Sequence, residues 1–150
     1  MAFNIVLIEP EIPNNTGNIG RLSLATGCTL HLVKPFGFEL DDKKLKRAGL
    51  DYWNKISVRV YENSEAFFKV HSNEKFVFFS SHAKQNFWSV DFKENIFLVF
   101  GKESVGLSKD IIDENIDSIY KIPLYSPHIR SLNLANAVSV VVYEGLRQLL

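Results

Sequence analysis

The sequence predicts an α/β fold, a mostly parallel sheet flanked by helices, on three observations. The runs Phe3 to Ile8, Thr29 to Val33, Phe76 to Phe79 and Ile96 to Phe100 are apolar at nearly every position, so the strands they form need cover on both faces. Segments of helical character lie between them, and strands alternating with helices form a layered sheet. No Gly/Ser/Pro linker, repeat or low-complexity stretch interrupts the 150 residues; residues 1–150 are expected to make one domain.

Taken in order, the first strand runs from Phe3 to Ile8 and is followed by a proline-stiffened loop. A helix is expected over Gly17 to Thr26, capped by Asn15 or Thr16. After the strand Thr29 to Val33, a short helix over Asp41 to Ala48 has acids first and Lys43, Lys44, Lys46 and Arg47 after, the order its dipole favours. Ser64 to Val70 is a third helix and Phe76 to Phe79 the next strand. Ile96 to Phe100 runs into a glycine-bracketed loop and a helix over Ser108 to Glu114, and a further strand ends at Pro123.

The final segment, about Asn133 to Leu150, holds the β-branched run Val138-Ser139-Val140-Val141-Val142, which favours a strand by propensity. Leu134, Ala137, Val138 and Val141 nevertheless follow helical spacing, Ser131 or Asn133 can cap the start, and Glu144 onward is made of helix formers. A helix is therefore predicted. Val140, Val142 and Leu146 fall off that stripe, so the helix is expected to pack on its own core and on a second copy of the chain, as a homodimer.

Composition narrows function. Hydrophobic residues make up 46% of the chain, yet no run reaches the roughly 20 uncharged apolar residues of a bilayer span, and the N-terminus lacks a signal-peptide pattern. A cytoplasmic protein without a membrane partner is expected. The lone Cys28 excludes an internal disulfide and reads as a small buried apolar residue; with four histidines and no second cysteine there is no zinc pattern and no metal is expected. Net charge is zero, so any nucleic acid must be held by local patches such as Lys43, Lys44, Lys46 and Arg47.

Three segments combine a strand end with unusual residues, where ligands gather in open α/β sheets. In Glu9 to Arg21, Asn15, Thr16 and Gly17 offer capping groups and close backbone approach, and Arg21, one turn into the helix, can clamp a phosphate and orient a hydroxyl. In Leu98 to Ser108, Gly101 and Gly106 bracket a loop that lacks a phosphate-binding Lys-Ser/Thr pair, which argues against an ATPase; Glu103 is placed to bind substrate or to hold Arg21. In Lys121 to Ala137, Ser131, Asn133 and Asn136 bring polar groups to an apolar helix start, where the amides of the two asparagines need partners.

Asn15-x-Gly17-Asn18-Ile19-x-Arg21, Phe100-Gly101-x-Glu103-x-x-Gly106-Leu107, and Ile122-Pro123 with Arg130-Ser131-Leu132-Asn133-Leu134-x-Asn136-Ala137 resemble, in order and spacing, the three signature motifs of the SPOUT RNA 2′-O-methyltransferases. The opening Ile5 to Asn18 and the stretch Arg47-Ala48-Gly49-Leu50-Asp51-Tyr52-Trp53 are similar to the minimal TrmL (YibK-like) branch. The likeness spans nearly the whole chain. It departs at Tyr125 to Ile129 and at Ser80 to Lys84, and the chain ends at Leu150 without the short tail of some relatives.

That resemblance implies a SPOUT fold with a C-terminal deep trefoil knot, a homodimer, and S-adenosylmethionine as methyl donor. It implies methylation of the ribose 2′-OH of the wobble nucleotide of tRNA, position 34, a C or modified U, in leucine tRNAs. Carried onto matching positions, the cofactor falls to Phe79, Gly101, Ile122, Ser131 and Leu132. Arg21 is the residue implied to act on the hydroxyl, supported by Asn15, Glu103, Ser131 and Asn133, while Lys43, Lys44, Lys46, Arg47 and Arg130 are candidates for RNA contact along with Arg21. An arginine with a pKa above about 12 is a poor base, so an electrostatic and positioning role is expected of it. The competing reading is a catalytically silent RNA-binding module of the same fold; a phosphatase or kinase is disfavoured by the missing P-loop, carboxylate cluster and Cys nucleophile motif.

Overall fold

The computed structural model of the chain describes residues 2–48 and 50–150; Met1, Gly49 and the side chains of residues 50 and 51 lie outside the described residues, so Gly49 of the 47–53 motif is not placed. The strands are β1 (Asn4–Ile8), β2 (Thr29–Val33), β3 (Val58–Tyr61), β4 (Phe76–Phe79), β5 (Gln85–Asn86), β6 (Phe97–Phe100) and β7 (Ile119–Lys121). The helices are α1 (Pro13–Thr26), α2 (Lys43–Ala48), α3 (Ser64–Val70), α4 (Lys109–Glu114) and α5 (Leu134–Leu149), with short 3-10 turns at Leu50–Lys55, Phe87–Ser89 and Ile116–Ser118.

The strands form one seven-stranded sheet in the order β3-β2-β1-β6-β4-β7-β5, and every pair is parallel. From β1 the chain first builds outward through β2 to β3, then crosses to the other side of β1 for the remaining strands. The boundary between β1 and β6 is thus a topological switch point, and the loops after β1 and β6 leave its carboxyl end side by side.

Alternation within the strands divides the core in two. Ile5, Leu7, Leu30, Leu32, Leu98 and Phe100 face one way, under α1 and α5, where Ile19, Val138, Val141 and Val142 are buried. Val6, Ile8, Val33, Phe78 and Val99 face the other, against Phe67 of α3 and Leu107. That face also takes in His31, which is 2% exposed. Its Nε2 lies 2.8 Å from Asn4 Oδ1 and its Nδ1 2.9 Å from Tyr61 Oη, which in turn lies 2.9 Å from His71 Nε2. A neutral imidazole satisfies every member: Nε2–H donates to Asn4, and the Tyr61 hydroxyl donates to Nδ1.

Several expectations are corrected. α1 begins at Pro13, four residues before Gly17, because proline suits a first helical position whose N–H has no intrahelical partner. Asn15 and Thr16 are therefore inside the helix and cap nothing. α2 begins at Lys43, with Asp42 Oδ1 accepting the Lys44 N–H at 2.7 Å. β7 stops at Lys121 rather than at Pro123, since proline has no N–H for the ladder. Two strands went unforeseen: β3, an edge strand carrying Arg59, and the two-residue polar β5. The last helix is as expected and Asn133 caps it, accepting the Asn136 N–H at 3.2 Å. Of its off-stripe residues Val142 is fully buried, leaving Val140 and Tyr143 exposed. Cys28 is buried, and desolvation pushes its thiol pKa up.

Candidate active site

The loop after β6 closes on itself. Gly106 donates its N–H to the carbonyl of Lys102 at 2.9 Å and takes a left-handed φ of 73°. A Cβ on Gly101 would lie 2.2 Å from both the carbonyl carbon of Gly106 and the nitrogen of Leu107. The loop's own backbone thus excludes any side chain at 101.

This loop is latched to the loop after β1 by reciprocal bonds. Glu103 Oε1 accepts the Glu11 N–H at 2.8 Å and Oε2 the Ile12 N–H at 2.9 Å. In return Glu11 Oε1 accepts the Ser104 N–H at 2.8 Å, and this bond holds the Glu11 carboxyl below its ordinary pKa. Lys102 Nζ pairs with Glu9 Oε1 at 3.0 Å, and that bond raises the lysine's pKa. A carboxylate at the start of α1, where Ile12 provides no side-chain cap, serves the orphan amides and the positive end of the helix dipole.

Glu103 also fixes Asn15. A carboxylate only accepts, so the Asn15 amide turns its Nδ2 toward Glu103 Oε2, 3.1 Å away. Its Oδ1 is left to accept from Asn133 Nδ2 at 3.0 Å. One polar chain thus ties the loop after β6, helix α1 and the start of α5. Asn15 is 5% exposed, so its amide is held by protein on both ends rather than by solvent.

Around that chain lies a cavity of about 770 Å³, within the range of small-molecule sites. Phe79, Gly101, Ile122, Ser131 and Leu132, the residues expected to hold a cofactor, all line it, together with Asn15, Glu103, Arg130 and Asn133. Apolar side chains and polar groups share its lining, which suits a ligand with a flat aromatic part and a charged part. Phe79 and Phe100 are stacked at 4.9 Å on one side.

Arg21 is elsewhere. It stands a little over two turns into α1, exposed, in a second open groove between α1 and α5. Glu103 does not hold it, contrary to expectation: that carboxylate is spent on Glu11, Ile12 and Asn15. Asn15 and Asn133 line both spaces, so the groove and the cavity meet at that pair. Lys43, Lys44, Lys46 and Arg47 are exposed on α2 and line neither. Sequence reasoning missed Glu9, Glu11 and Lys102 as members of the latch; the acidic pair around Pro10 was the available signal. Among the described residues no helix is long and apolar enough to cross a membrane.

Comparison with known proteins agrees with this geometry. Residues 2–143 match the SpoU rRNA methylase family. A tRNA (cytidine(34)-2′-O)-methyltransferase of Saccharophagus degradans is 49% identical, the match covering 98% of this chain and 96% of that one. A solved structure described as giving structural insights into the 2-OH methylation of C/U34 on tRNA superposes with a TM-score of 0.94 at 41% identity, covering 99% of this chain and 96% of that one. An AdoMet-bound rRNA methyltransferase of Sinorhizobium meliloti shares the fold with a TM-score of 0.88 at 24% identity, covering 99% of this chain and 57% of that one.

Proposed function

We infer, for a chain that belongs to the SpoU rRNA methylase family, that it is an enzyme transferring the methyl group of S-adenosylmethionine to the ribose 2′-oxygen of the wobble nucleotide of tRNA, position 34. The observation that carries this reading is the junction at Asn15 and Asn133 between the cavity and a groove bearing a guanidinium. The cavity suits the methyl donor in size, in its apolar walls and in the exposed polar groups of Ser131 and Arg130 at its edge. The bound donor supplies an already activated sulfonium methyl.

The chain's own work is to present the sugar oxygen. Arg21 clamps the RNA from the groove, orients the 2′-hydroxyl toward the junction and stabilises charge as its proton leaves. Asn15, Glu103 and Asn133 act behind it as positioning residues, keeping α1 and α5 in register with the loop after β6. Lys43, Lys44, Lys46, Arg47 and Arg130 supply phosphate contacts beyond the groove. We assign the deep knot to the segment 122–133, whose Ile122, Leu124 and Arg130 to Asn133 line the same cavity as the 80–82 and 101–106 loops.

A single domain spanning residues 1–150, acting as a homodimer in the cytoplasm, completes the reading. One sheet takes in every strand, and Val140 and Tyr143 leave an apolar stripe uncovered on α5. Leucine tRNAs are the proposed substrates. Labelling total tRNA with methyl-labelled S-adenosylmethionine and isolating the products tests this: leucine isoacceptors are expected to carry the label, and label spread over unrelated tRNAs would overturn the leucine assignment. Unlabelled tRNA that still binds would favour the silent RNA-binding module.

A further inference from the structure

The tip of the loop after β6 is held from outside itself. Its ends are anchored, since Gly101 and Leu107 are buried, and Gly106 closes the turn by donating its N–H to Lys102. Ser104 and Val105 at the tip are exposed, yet both line the cavity. Among the described residues the Val105 N–H has no hydrogen-bond partner, while the Ser104 N–H has one, Glu11 Oε1 at 2.8 Å.

Glu11 reaches that tip from a fixed base. Where the chain leaves β1, Glu9 takes a left-handed φ of 55°, a conformation that is costly for a residue with a Cβ and persists where the surroundings determine it. Here they do: the Glu9 N–H donates to the Val33 carbonyl at 2.8 Å, and its carboxylate meets Lys102 Nζ at 3.0 Å. Behind Glu11 the loop after β2 closes in. The Gly37 N–H donates to the Pro10 carbonyl at 3.0 Å, and a Cβ on Gly37 would lie 2.6 Å from the Glu11 carbonyl oxygen. In front, Glu103 accepts the N–H groups of Glu11 and Ile12. The two carboxylates of the latch therefore act differently. Glu103 binds main-chain groups that any residue except proline supplies at position 11, so the Glu103–Asn15–Asn133 chain does not require the Glu11 side chain. The bond to Ser104 does require it.

Resting on the reading of the cavity as the methyl-donor site, we propose that Glu11 is a positioning residue for donor binding: through the Ser104 N–H it holds the 102–106 loop in the shape that bounds the cavity before the donor arrives. A loop already in its bound shape spares the ligand the entropy of ordering it, so the benefit appears as affinity. Once the donor is bound the loop is ordered with or without Glu11, and the Asn15–Asn133 junction is held by Glu103 in either case. The step at the ribose is then unaffected.

Amide hydrogen exchange in the loop and S-adenosylmethionine affinity by calorimetry are measured on the wild-type protein, Glu11→Ala and Glu11→Gln. In the wild-type protein the Ser104 amide is expected to exchange about tenfold or more slowly than that of Val105, its equally exposed neighbour. Glu11→Ala is expected to lose that protection and to raise the donor Kd about tenfold, the size of one hydrogen bond to a charged group. Its donor KM should rise in step, while kcat at saturating donor stays within about twofold. Glu11→Gln keeps an acceptor oxygen but forms a weaker, uncharged bond, so its Kd should fall between the other two. A purely structural role would lower the urea midpoint of Glu11→Ala and leave the donor Kd where it was. A Kd for Glu11→Ala within about twofold of wild type, or a glutamine variant that binds no better than the alanine one, overturns the proposal. Should the alanine variant fail to fold, wild-type exchange decides: a Ser104 amide as fast as that of Val105 overturns the proposal by itself, and a protected one supports it. Wild-type protein that binds no S-adenosylmethionine would instead remove the donor reading of the cavity.

Discussion

Glu103 holds Asn15 at 3.1 Å and so decides which way its amide points, leaving the Asn15 carbonyl to receive Asn133 at 3.0 Å. The two residues are 88 positions apart in the chain, yet their contact helps tie the loop after β6 to α1 and to the start of α5. Glu103 does not hold Arg21; it caps the start of α1, accepting the Glu11 and Ile12 N–H groups.

Removing that cap should be felt in stability as well as in turnover. Glu103→Ala is expected to cost about 1–2 kcal/mol, the range for losing a helix cap, read as a lower urea midpoint with unchanged slope. Glu103→Gln, which keeps one acceptor oxygen, should fall between wild type and the alanine variant.

Arg21 should separate binding from chemistry. Arg21→Ala leaves every residue of the cofactor cavity in place, so donor affinity by calorimetry should be unchanged while kcat falls by about 10²-fold or more, the usual loss for a group that stabilises developing charge.

Gly101 offers the opposite signature. Gly101→Ala places a methyl 2.2 Å from the backbone of Gly106 and Leu107, so the loop must open. A lower thermal midpoint together with weakened donor binding is expected, since the same loop bounds the cavity.

The His31 network predicts a pH dependence of stability. Burial, with smaller contributions from His71 and Arg59, lowers the His31 pKa from 6.5 to about 4. The folded state holds the ring neutral while the unfolded chain protonates it, so stability is present in full above about pH 6.5 and is lost as pH falls toward 4. Between about pH 7 and pH 5 the loss should approach about 2 kcal/mol in urea titrations. His31→Phe, though less stable at every pH because Asn4 and Tyr61 lose their partner, should have a flatter profile.

How much of this was legible beforehand follows from where the information sits. The parallel core strands β1, β2, β4 and β6 are apolar on both faces and could be read directly. β3 was missed because it is a half-exposed edge, with Arg59 and Val60 exposed on opposite faces, and β5 because two polar residues carry no periodicity. Phe79, Gly101, Ile122, Ser131 and Leu132 were named through the family resemblance rather than from periodicity, and the fold brings all five to the lining of one cavity. The latch of Glu9, Glu11, Lys102 and Glu103 was not, because its partners lie some 90 residues apart and only the fold brings β1 beside β6.

Transfer of one methyl group to one ribose at the Asn15–Asn133 junction is the step on which the proposed function depends. Its most direct test is to incubate the protein with methyl-labelled S-adenosylmethionine and tRNA, digest the product and locate the label by mass spectrometry. The expected result is a 2′-O-methyl group at nucleotide 34, absent when Arg21→Ala protein with intact donor binding is used. Label on a base, at another nucleotide, or at undiminished level with Arg21→Ala would contradict it.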